Sequence, residues 1–260
     1  MTSFLLCPPT HFQIAYQINP WMDVNVQPTA HQGQWDELLS TFRKLHTNVE
    51  LLEPHPHVPD LVFTANAGLI HKDQFILSRF KHPERSPEEP IFRAWAEASG
   101  FEVSQTHSFF EGEGDALFVG DVLYLGCGIR SDKSSAVELE KMLNVEVVPC
   151  SLINSNFYHL DTCFCPLTDD TVMLYPKAFD KESLSRLDKS FDVIEVSEKD
   201  ARSFICNSVV FGKDIICPSG CEDTYQKLSD LDFSVHPVDL SEFLKSGGSA
   251  KCLTLIKERS

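Results

Sequence analysis

Polar and apolar positions form a pattern that recurs five times along the chain. Each copy starts with a polar residue or a cysteine and continues with an apolar run; the first four copies add a polar turn and a second apolar run. The copies start at Asn66, Asp115, Asp161, Asn207 and Cys252, which are 45 to 49 residues apart. Two apolar runs joined by a short polar turn predict a β-hairpin, so five related units are predicted.

Helix-like segments followed by short β-rich runs separate the hairpins. These pairs are "QWDELLSTFRKL" and "VELLEP", "EEPIFRAWAEASG" and "FEVSQ", "SSAVELEKMLN" and "VEVVPC", and "EDTYQKLSDL" and "FSVHPV". Their apolar spacing changes from helical to extended. Each unit is therefore predicted to be strand, strand, helix, strand, and the N-terminal "FLLCPP" is predicted to complete the truncated fifth hairpin.

One such unit cannot bury both faces of its sheet, so the five units must pack together. The predicted fold class is α/β: a five-bladed propeller of pseudo-symmetric ββαβ repeats, with residues 1–260 as a single domain. Ring closure would place the five starting residues at the starts of inner strands, directed at the central axis. The alternative is that they only cap strands. The polar segment 81–90, "KHPERSPEEP", is predicted to be a mobile surface loop.

Charge and hydropathy limit the kinds of partner that the chain is expected to bind. The chain has 38 acidic against 22 basic residues, a formal net charge of −16, and its basic residues form no cluster that could follow phosphates. We therefore expect no nucleic-acid partner, whereas a cationic small molecule suits the charge. The chain contains no run of roughly 18 apolar residues and its start has no signal-peptide character, so no membrane association and a cytoplasmic location are predicted.

The cysteines are predicted to be reduced thiols. They number nine, which is odd, and they show no paired framework. "CFC" and "CPSGC" each lack the second half of a zinc site, and the chain has no dinucleotide-binding fingerprint. No metal and no cofactor are therefore predicted.

A cysteine nucleophile with a histidine partner is the chemistry that the pattern favours. Cys252 is the candidate nucleophile and His159 its partner. Asp161 follows His159 by two residues, so on an extended segment both side chains would face the same side. Carboxylates raise the pKa of a thiol, but a cationic substrate removes that objection. Asp115, Asp161 and either Glu111 or Glu113 could bind a planar guanidinium bidentately.

Five motifs carry a resemblance to a known superfamily. "PDLVFTANAG", "EGEGDALF", "LGCGIRSD", "HLD" and the terminal "GGSAKCLT" resemble, in the same order, motifs of the guanidino-group modifying enzymes. These are arginine deiminases, dimethylargininases and amidinotransferases, whose fold is the pentein propeller. The resemblance spans essentially the whole chain. It implies that Cys252 is the nucleophile, His159 the general acid and base, Asp161 a guanidinium ligand, and Arg79 and Arg130 clamps for the substrate α-carboxylate.

Two departures refine the resemblance. "EGEGD" is one residue longer than the deiminase "EGGD", which leaves the acidic role open between Glu111 and Glu113. Asn66 stands where deiminases have a second guanidinium-binding Asp, and "INPWMD", which contains Asn19, is more similar to arginine dihydrolases. Those occur as the N-terminal domain of two-domain proteins, so the chain is predicted to be a stand-alone relative or a fragment.

The resemblance implies a cofactor-independent hydrolase of arginine that works through a covalent cysteine intermediate. A dihydrolase would release ornithine, ammonia and carbon dioxide. A deiminase or dimethylargininase would release citrulline from arginine or methylated arginine, and an amidinotransferase would pass the amidino group to an amine. A non-enzymatic binding module is the alternative from another class, since the same propeller also serves in a ribosome-associated translation factor.

Overall fold

The computed structural model describes residues 2–258, which divide into two compact units. The first unit runs up to Thr64 and resumes at Val196; the second is Ala65–Glu195. Within the described range there are five three-stranded sheets. The first unit contains two of them and the second contains three. One domain spanning residues 1–260 stays a prediction.

The strands and helices follow in chain order. The strands are β1 (Ser3–Leu6), β2 (Asn48–Leu51), β3 (Gly68–His71), β4 (Gln74–Leu77), β5 (Glu102–Gln105), β6 (Ala116–Val119), β7 (Val122–Cys127), β8 (Val147–Ser151), β9 (Phe164–Pro166), β10 (Thr171–Leu174), β11 (Asp192–Glu195), β12 (Val209–Phe211), β13 (Asp214–Pro218), β14 (Ser234–Val238) and β15 (Leu255–Glu258). The helices are α1 (His31–Lys44), α2 (Glu89–Ala98), α3 (Ser135–Leu143), α4 (Lys181–Ser190), α5 (Glu198–Arg202), α6 (Glu222–Asp230) and α7 (Ser241–Leu244).

All five sheets share one arrangement. The central strand pairs antiparallel with its hairpin partner and parallel with the strand that follows the next long helix, as in the order β3-β4-β5. In one sheet of the first unit, β1 is the central strand. It pairs antiparallel with β15 and parallel with β2. The predicted ββαβ repeat is confirmed, and so is the predicted pairing of the N-terminal strand with the truncated fifth hairpin.

The core of the first unit is rich in phenylalanine. Phe4 of β1, Phe42 of α1 and Phe243 of α7 are fully buried in one cluster, and this cluster includes Cys252. The cysteine therefore lies in a well-packed part of its unit.

The starting residues of the repeats lie in turns, not on strands as predicted. Asp115 follows the 3-10 turn Gly112–Gly114, and Asp161 lies within the 3-10 turn Leu160–Thr162. The turns close through short backbone hydrogen bonds, such as the one from Asp115 N–H to the Gly112 carbonyl (3.1 Å). The strands that follow begin one to three residues later.

Segment 81–90 differs from its prediction. It contains the 3-10 turn Ser86–Glu88 and leads directly into α2. Arg85 is 3% exposed and Glu88 is fully buried. The prediction of a surface loop is therefore wrong for these two residues, because each charge is paired with the other. None of the helices in the described part of the chain has the length and apolar character needed to cross a membrane.

Candidate active site

Cys252 is buried and contacts the side-chain amide of Asn207. It lies in the turns that precede β15 and is 3% exposed. Asn207 Nδ2 donates to its sulfur at 3.1 Å, and Asn207 Oδ1 accepts from the backbone N–H groups of Cys252 (3.0 Å) and Ser249 (3.1 Å). The Asn207 side chain therefore contacts both the sulfur and the backbone of its turn.

The glycines before Cys252 allow close packing. Gly247 has φ +81°, a conformation that favours glycine. A Cβ on Gly248 would collide with the ring of Phe63. The approach to the cysteine is thus a tightly packed turn.

Asn19 is joined to the same stretch. Its Nδ2 donates to the Ser246 carbonyl (3.1 Å), and its Oδ1 accepts from the backbone N–H groups of Trp21 (2.9 Å) and Met22 (3.2 Å). Asn19 therefore fixes the segment that follows it. Its contact with substrate stays a prediction.

In the second unit, His159, Glu111 and Arg130 form a buried cluster. His159 Nε2 is 2.6 Å from Glu111 Oε2, and Arg130 Nη1 donates to the same oxygen at 3.0 Å. The Arg130 guanidinium also lies over the Tyr158 ring, 4.7 Å from its centroid. Of the two acidic candidates, Glu111 is shown in contact with His159, and the acidic role itself stays a prediction.

The charge of Glu111 fixes the His159 tautomer. Burial opposes ionisation of Glu111, but the Arg130 guanidinium and the hydrogen bond with His159 hold the pKa of this carboxyl far below its usual range. An ionised carboxylate can only accept, so His159 Nε2 carries the proton that points at Glu111. Nδ1 is then the ring nitrogen that can exchange a proton with a reacting group.

Asp115 is a second buried carboxylate, with a different environment. Its Oδ2 accepts from Ser131 Oγ (2.6 Å) and Ser131 N–H (3.2 Å), and its Oδ1 accepts from Leu160 N–H (3.1 Å). Burial raises the pKa of Asp115 to about 6, although the nearby His159 and the hydrogen bonds oppose the shift. Asp115 thereby ties the backbone beside His159 in place.

Asn66 belongs to a network with two residues that the sequence did not single out. Its Oδ1 accepts from Arg85 Nη1 (2.8 Å), and its Nδ2 donates to the Glu111 carbonyl (3.2 Å). Arg85 in turn binds Glu88 bidentately, with both bonds at 2.7 Å. The amide orientation of Asn66 is therefore fixed from both ends.

Three further residues of the predicted site are Arg79, Asp161 and Glu113. Arg79 is half-buried, and its Nε donates to the Thr106 carbonyl (2.8 Å). Asp161 is fully buried and Glu113 is 3% exposed. The prediction of one extended segment for His159 and Asp161 is wrong, because the extended backbone ends at His159 and Asp161 lies in a 3-10 turn. Arg79 and Asp161 as substrate contacts stay predictions.

A sequence separation of 45 links three of the repeat-starting residues to the next repeat. It separates Asn66 from Glu111, Asp115 from Leu160, and Asn207 from Cys252. The spacing of the repeats therefore contained the signal for Asn207. Arg85 had no such signal, because its segment reads as solvated. In residues 2–258 no group of three or more His, Cys, Asp or Glu side chains is arranged to hold a metal ion.

Comparison with known proteins identifies the family. The family model described as "N,N dimethylarginine dimethylhydrolase, eukaryotic" matches residues 15–257. The chain belongs to this family.

Two curated relatives of this dimethylarginine dimethylhydrolase family member have different lengths. The bifunctional arginine dihydrolase/ornithine cyclodeaminase AgrE of Nostoc sp. is 42% identical over an alignment of 262 positions, which covers 97% of this chain and 37% of AgrE. The N(G),N(G)-dimethylarginine dimethylaminohydrolase of Mycobacterium tuberculosis is 38% identical over 97% of this chain and 84% of that protein. The chain thus spans little more than a third of AgrE.

A solved structure matches the whole family domain. An Asn-to-Ser variant of the N-terminal domain of ArgZ, covalently bound to a reaction intermediate, has a TM-score of 0.96 and 42% identity, and the match covers 100% of this chain and 98% of that one. Together with the five sheets, this match confirms the predicted α/β pentein fold class with five ββαβ repeats.

Proposed function

We propose that the chain hydrolyses the guanidinium group of arginine through a covalent Cys252 intermediate and releases ornithine, ammonia and carbon dioxide. The observation that carries the proposal is the 42% identity, across 97% of the chain, to a protein named as an arginine dihydrolase. The covalent intermediate on the ArgZ domain, which is equally similar, supports the nucleophilic route. Asn66, the amide that distinguishes the chain from the deiminase pattern, supports the choice of product.

The first round converts arginine to citrulline. The Cys252 thiolate gives its electron pair to the guanidinium carbon, and the C–N bond breaks with ammonia leaving on a proton supplied by His159. Water then loses a proton to His159 and attacks the amidino carbon. The C–S bond breaks, which frees citrulline and restores the thiolate.

The second round repeats this chemistry on the ureido group. Cys252 attacks the ureido carbon, a second ammonia leaves, and water cleaves the resulting thiocarbamate. The carbamic acid so formed decomposes to carbon dioxide and ornithine. One arginine and two waters thereby give ornithine, carbon dioxide and two ammonia molecules, and no cofactor takes part.

Glu111 and the arginines would assist these steps. Glu111 holds the His159 proton at Nε2 and stabilises the imidazolium that forms in each round. Asp115 and Asp161 would bind the guanidinium, and Arg130, with Arg79, the α-carboxylate. Arg85, which is buried beside Asn66, is a further cation for which the sequence offered no role.

A dimethylargininase is the second candidate. It is favoured by the family model and by the M. tuberculosis relative, of which the match covers 84%. Both candidates use the same nucleophile, but this second one releases citrulline and a methylated amine.

Product analysis separates the two. The protein is incubated with arginine, citrulline or dimethylarginine, and the products are identified by mass spectrometry, with and without a chelator. We expect ornithine from arginine and from citrulline. Citrulline as the sole product, or turnover of dimethylarginine alone, would refute the dihydrolase proposal.

For the location we propose the cytoplasm. The nine cysteines are all buried and present as thiols, which suits a reducing compartment. Fractionation of source cells tests this, and recovery in a secreted or membrane fraction would contradict it.

A further inference from the structure

Asn207 contacts the Cys252 sulfur through an amide that has one orientation. Its Oδ1 accepts from the backbone N–H groups of Cys252 and Ser249, at 3.0 and 3.1 Å. Because the amide oxygen only accepts and the nitrogen only donates, these bonds turn the NH2 group toward the sulfur, 3.1 Å away. Asn207 is fully buried, so bulk water does not compete for this donor.

The equivalent residues of two other repeats also contact the backbone of the next repeat. Asn66 donates to the Glu111 carbonyl, and Asp115 accepts from Leu160 N–H, each across the same separation of 45. Fixing the backbone of the next repeat is thus a shared structural task. At Asn207 the side chain does this with its oxygen and in addition directs its nitrogen at a thiol.

We propose that Asn207 is a catalytic residue that positions the Cys252 sulfur and stabilises its thiolate by N–H donation. This rests on the proposed function, in which Cys252 is the nucleophile. A hydrogen bond donated to the charged form of an acid favours ionisation, and the thiolate is the reactive form of cysteine. The donor acts whenever the sulfur is anionic: before each attack, and again when water displaces the sulfur from carbon.

Lys251 is the charged side chain next to Cys252 in sequence. It is 4% exposed, and its Nζ donates to the Thr254 carbonyl at 3.1 Å. An ammonium near a thiolate would also favour ionisation, so the experiment has to separate the two groups. Lys251→Met removes the charge and keeps most of the side-chain volume.

The first test measures Cys252 alone. Iodoacetamide alkylation of the substrate-free protein is followed against pH, and the Cys252 peptide is quantified by mass spectrometry. Asn207→Ala removes the donor and the acceptor without adding a charge. Asn207→Asp keeps the acceptor and removes the donor, but its carboxylate also raises the pKa of the thiol by repulsion, so Asn207→Ala is the decisive variant. Each substitution should raise the pH midpoint of Cys252 alkylation by about one unit or more. Each should also slow alkylation at neutral pH about tenfold or more. Asn48→Asp, an exposed change in the same unit, should leave the midpoint unchanged.

Three outcomes decide the proposal. A purely structural Asn207 would lower the melting temperature of its variants but leave the midpoint unchanged, and this result would overturn the proposal. A Lys251→Met shift as large as that of Asn207→Ala would also overturn it. A smaller Lys251→Met shift supports it.

A second measurement uses the unsubstituted protein, so it does not depend on the folding of a variant. The side-chain amide proton signals of Asn207, followed by NMR, should titrate with the midpoint of Cys252 alkylation. They should not titrate in Cys252→Ser. Signals that do not change with pH in the unsubstituted protein would refute the proposal.

These tests are independent of turnover. If the protein consumes arginine and the midpoint of Cys252 alkylation is unshifted in Asn207→Ala, this inference alone is refuted. If the protein does not act on arginine, citrulline or dimethylarginine, yet the midpoint shifts in Asn207→Ala, the proposed function is refuted and thiolate stabilisation by Asn207 is supported.

Discussion

Asp115 couples the stability of the protein to pH. Burial raises the pKa of this carboxyl from 3.8 to about 6, despite its bonds from Ser131 and Leu160. Between about pH 4 and pH 6 the folded state therefore binds more protons than the unfolded state, and stability falls as pH rises.

The Asp115→Asn variant lacks this titration. The free energy of unfolding of the wild type, relative to the variant, should fall by roughly 2 kcal/mol from about pH 4 to about pH 6. Denaturant titrations at several pH values measure the difference. A difference that stays constant over this window would contradict the assignment.

Asn66 is the residue at which we expect product choice to change. An amide has both a donor and an acceptor, so it can bind a ureido group as well as a guanidinium; a carboxylate only accepts. In Asn66→Asp, an oxygen would replace the nitrogen that now donates to the Glu111 carbonyl. We expect arginine to be consumed still, with the ornithine-to-citrulline ratio lowered about tenfold. Mass spectrometry measures the ratio, with Asn48→Asp as the charge control; an unchanged ratio would count against this role.

The 3-10 turns are the elements that position the site, and Gly112 shows how strictly one of them is packed. Gly112 has φ +61°, and a Cβ there would lie 2.8 Å from backbone atoms of Ala65 and Gly68. Gly212 has a similar φ of +58°, but nothing lies within 4 Å of its Cβ position. The two glycines share a backbone conformation and differ in the space around them.

Alanine substitution should separate these two effects. Gly212→Ala should cost about 1 kcal/mol, from the left-handed conformation alone. Gly112→Ala should cost about 3 kcal/mol or more, because the backbone of the neighbouring turn must also move. Chemical denaturation measures both costs, and equal values would show that close packing at Gly112 is unimportant.

The strands and helices could be predicted where the sequence pattern involves only neighbouring residues. Apolar runs joined by short polar turns predicted the hairpins, and helical spacing predicted the four quoted helices, because these patterns depend only on neighbours in sequence. Arg85 and Glu88 were missed because two charges three residues apart usually face solvent. Their burial follows from mutual pairing and from the contact of Arg85 with Asn66, 19 residues away. The contact of Asn207 with Cys252, 45 residues away, also depends on the folded chain.

At the scale of the whole molecule, the proposed chemistry requires both compact units. Cys252 belongs to the first unit and His159 to the second. If both residues serve the same steps, Cys252→Ala and His159→Ala should each lower kcat by roughly a thousandfold or more, and the double variant should be hardly worse than either. Steady-state kinetics on the full chain measure this, with melting temperatures as the check on folding. Losses that multiply would indicate independent roles.

The central position of β1 has a consequence for the order in which the protein can be made. Ser3 pairs with Glu258, and Leu5 pairs with Leu255, across almost the entire chain. The second unit is one continuous stretch, so all strands of its three sheets have been synthesised once the ribosome passes Glu195. In the first unit, β1 must wait for β15, which is synthesised after the whole second unit. The turn that carries Cys252 directly precedes β15, so within residues 2–258 the proposed nucleophile is among the last side chains to reach its native surroundings.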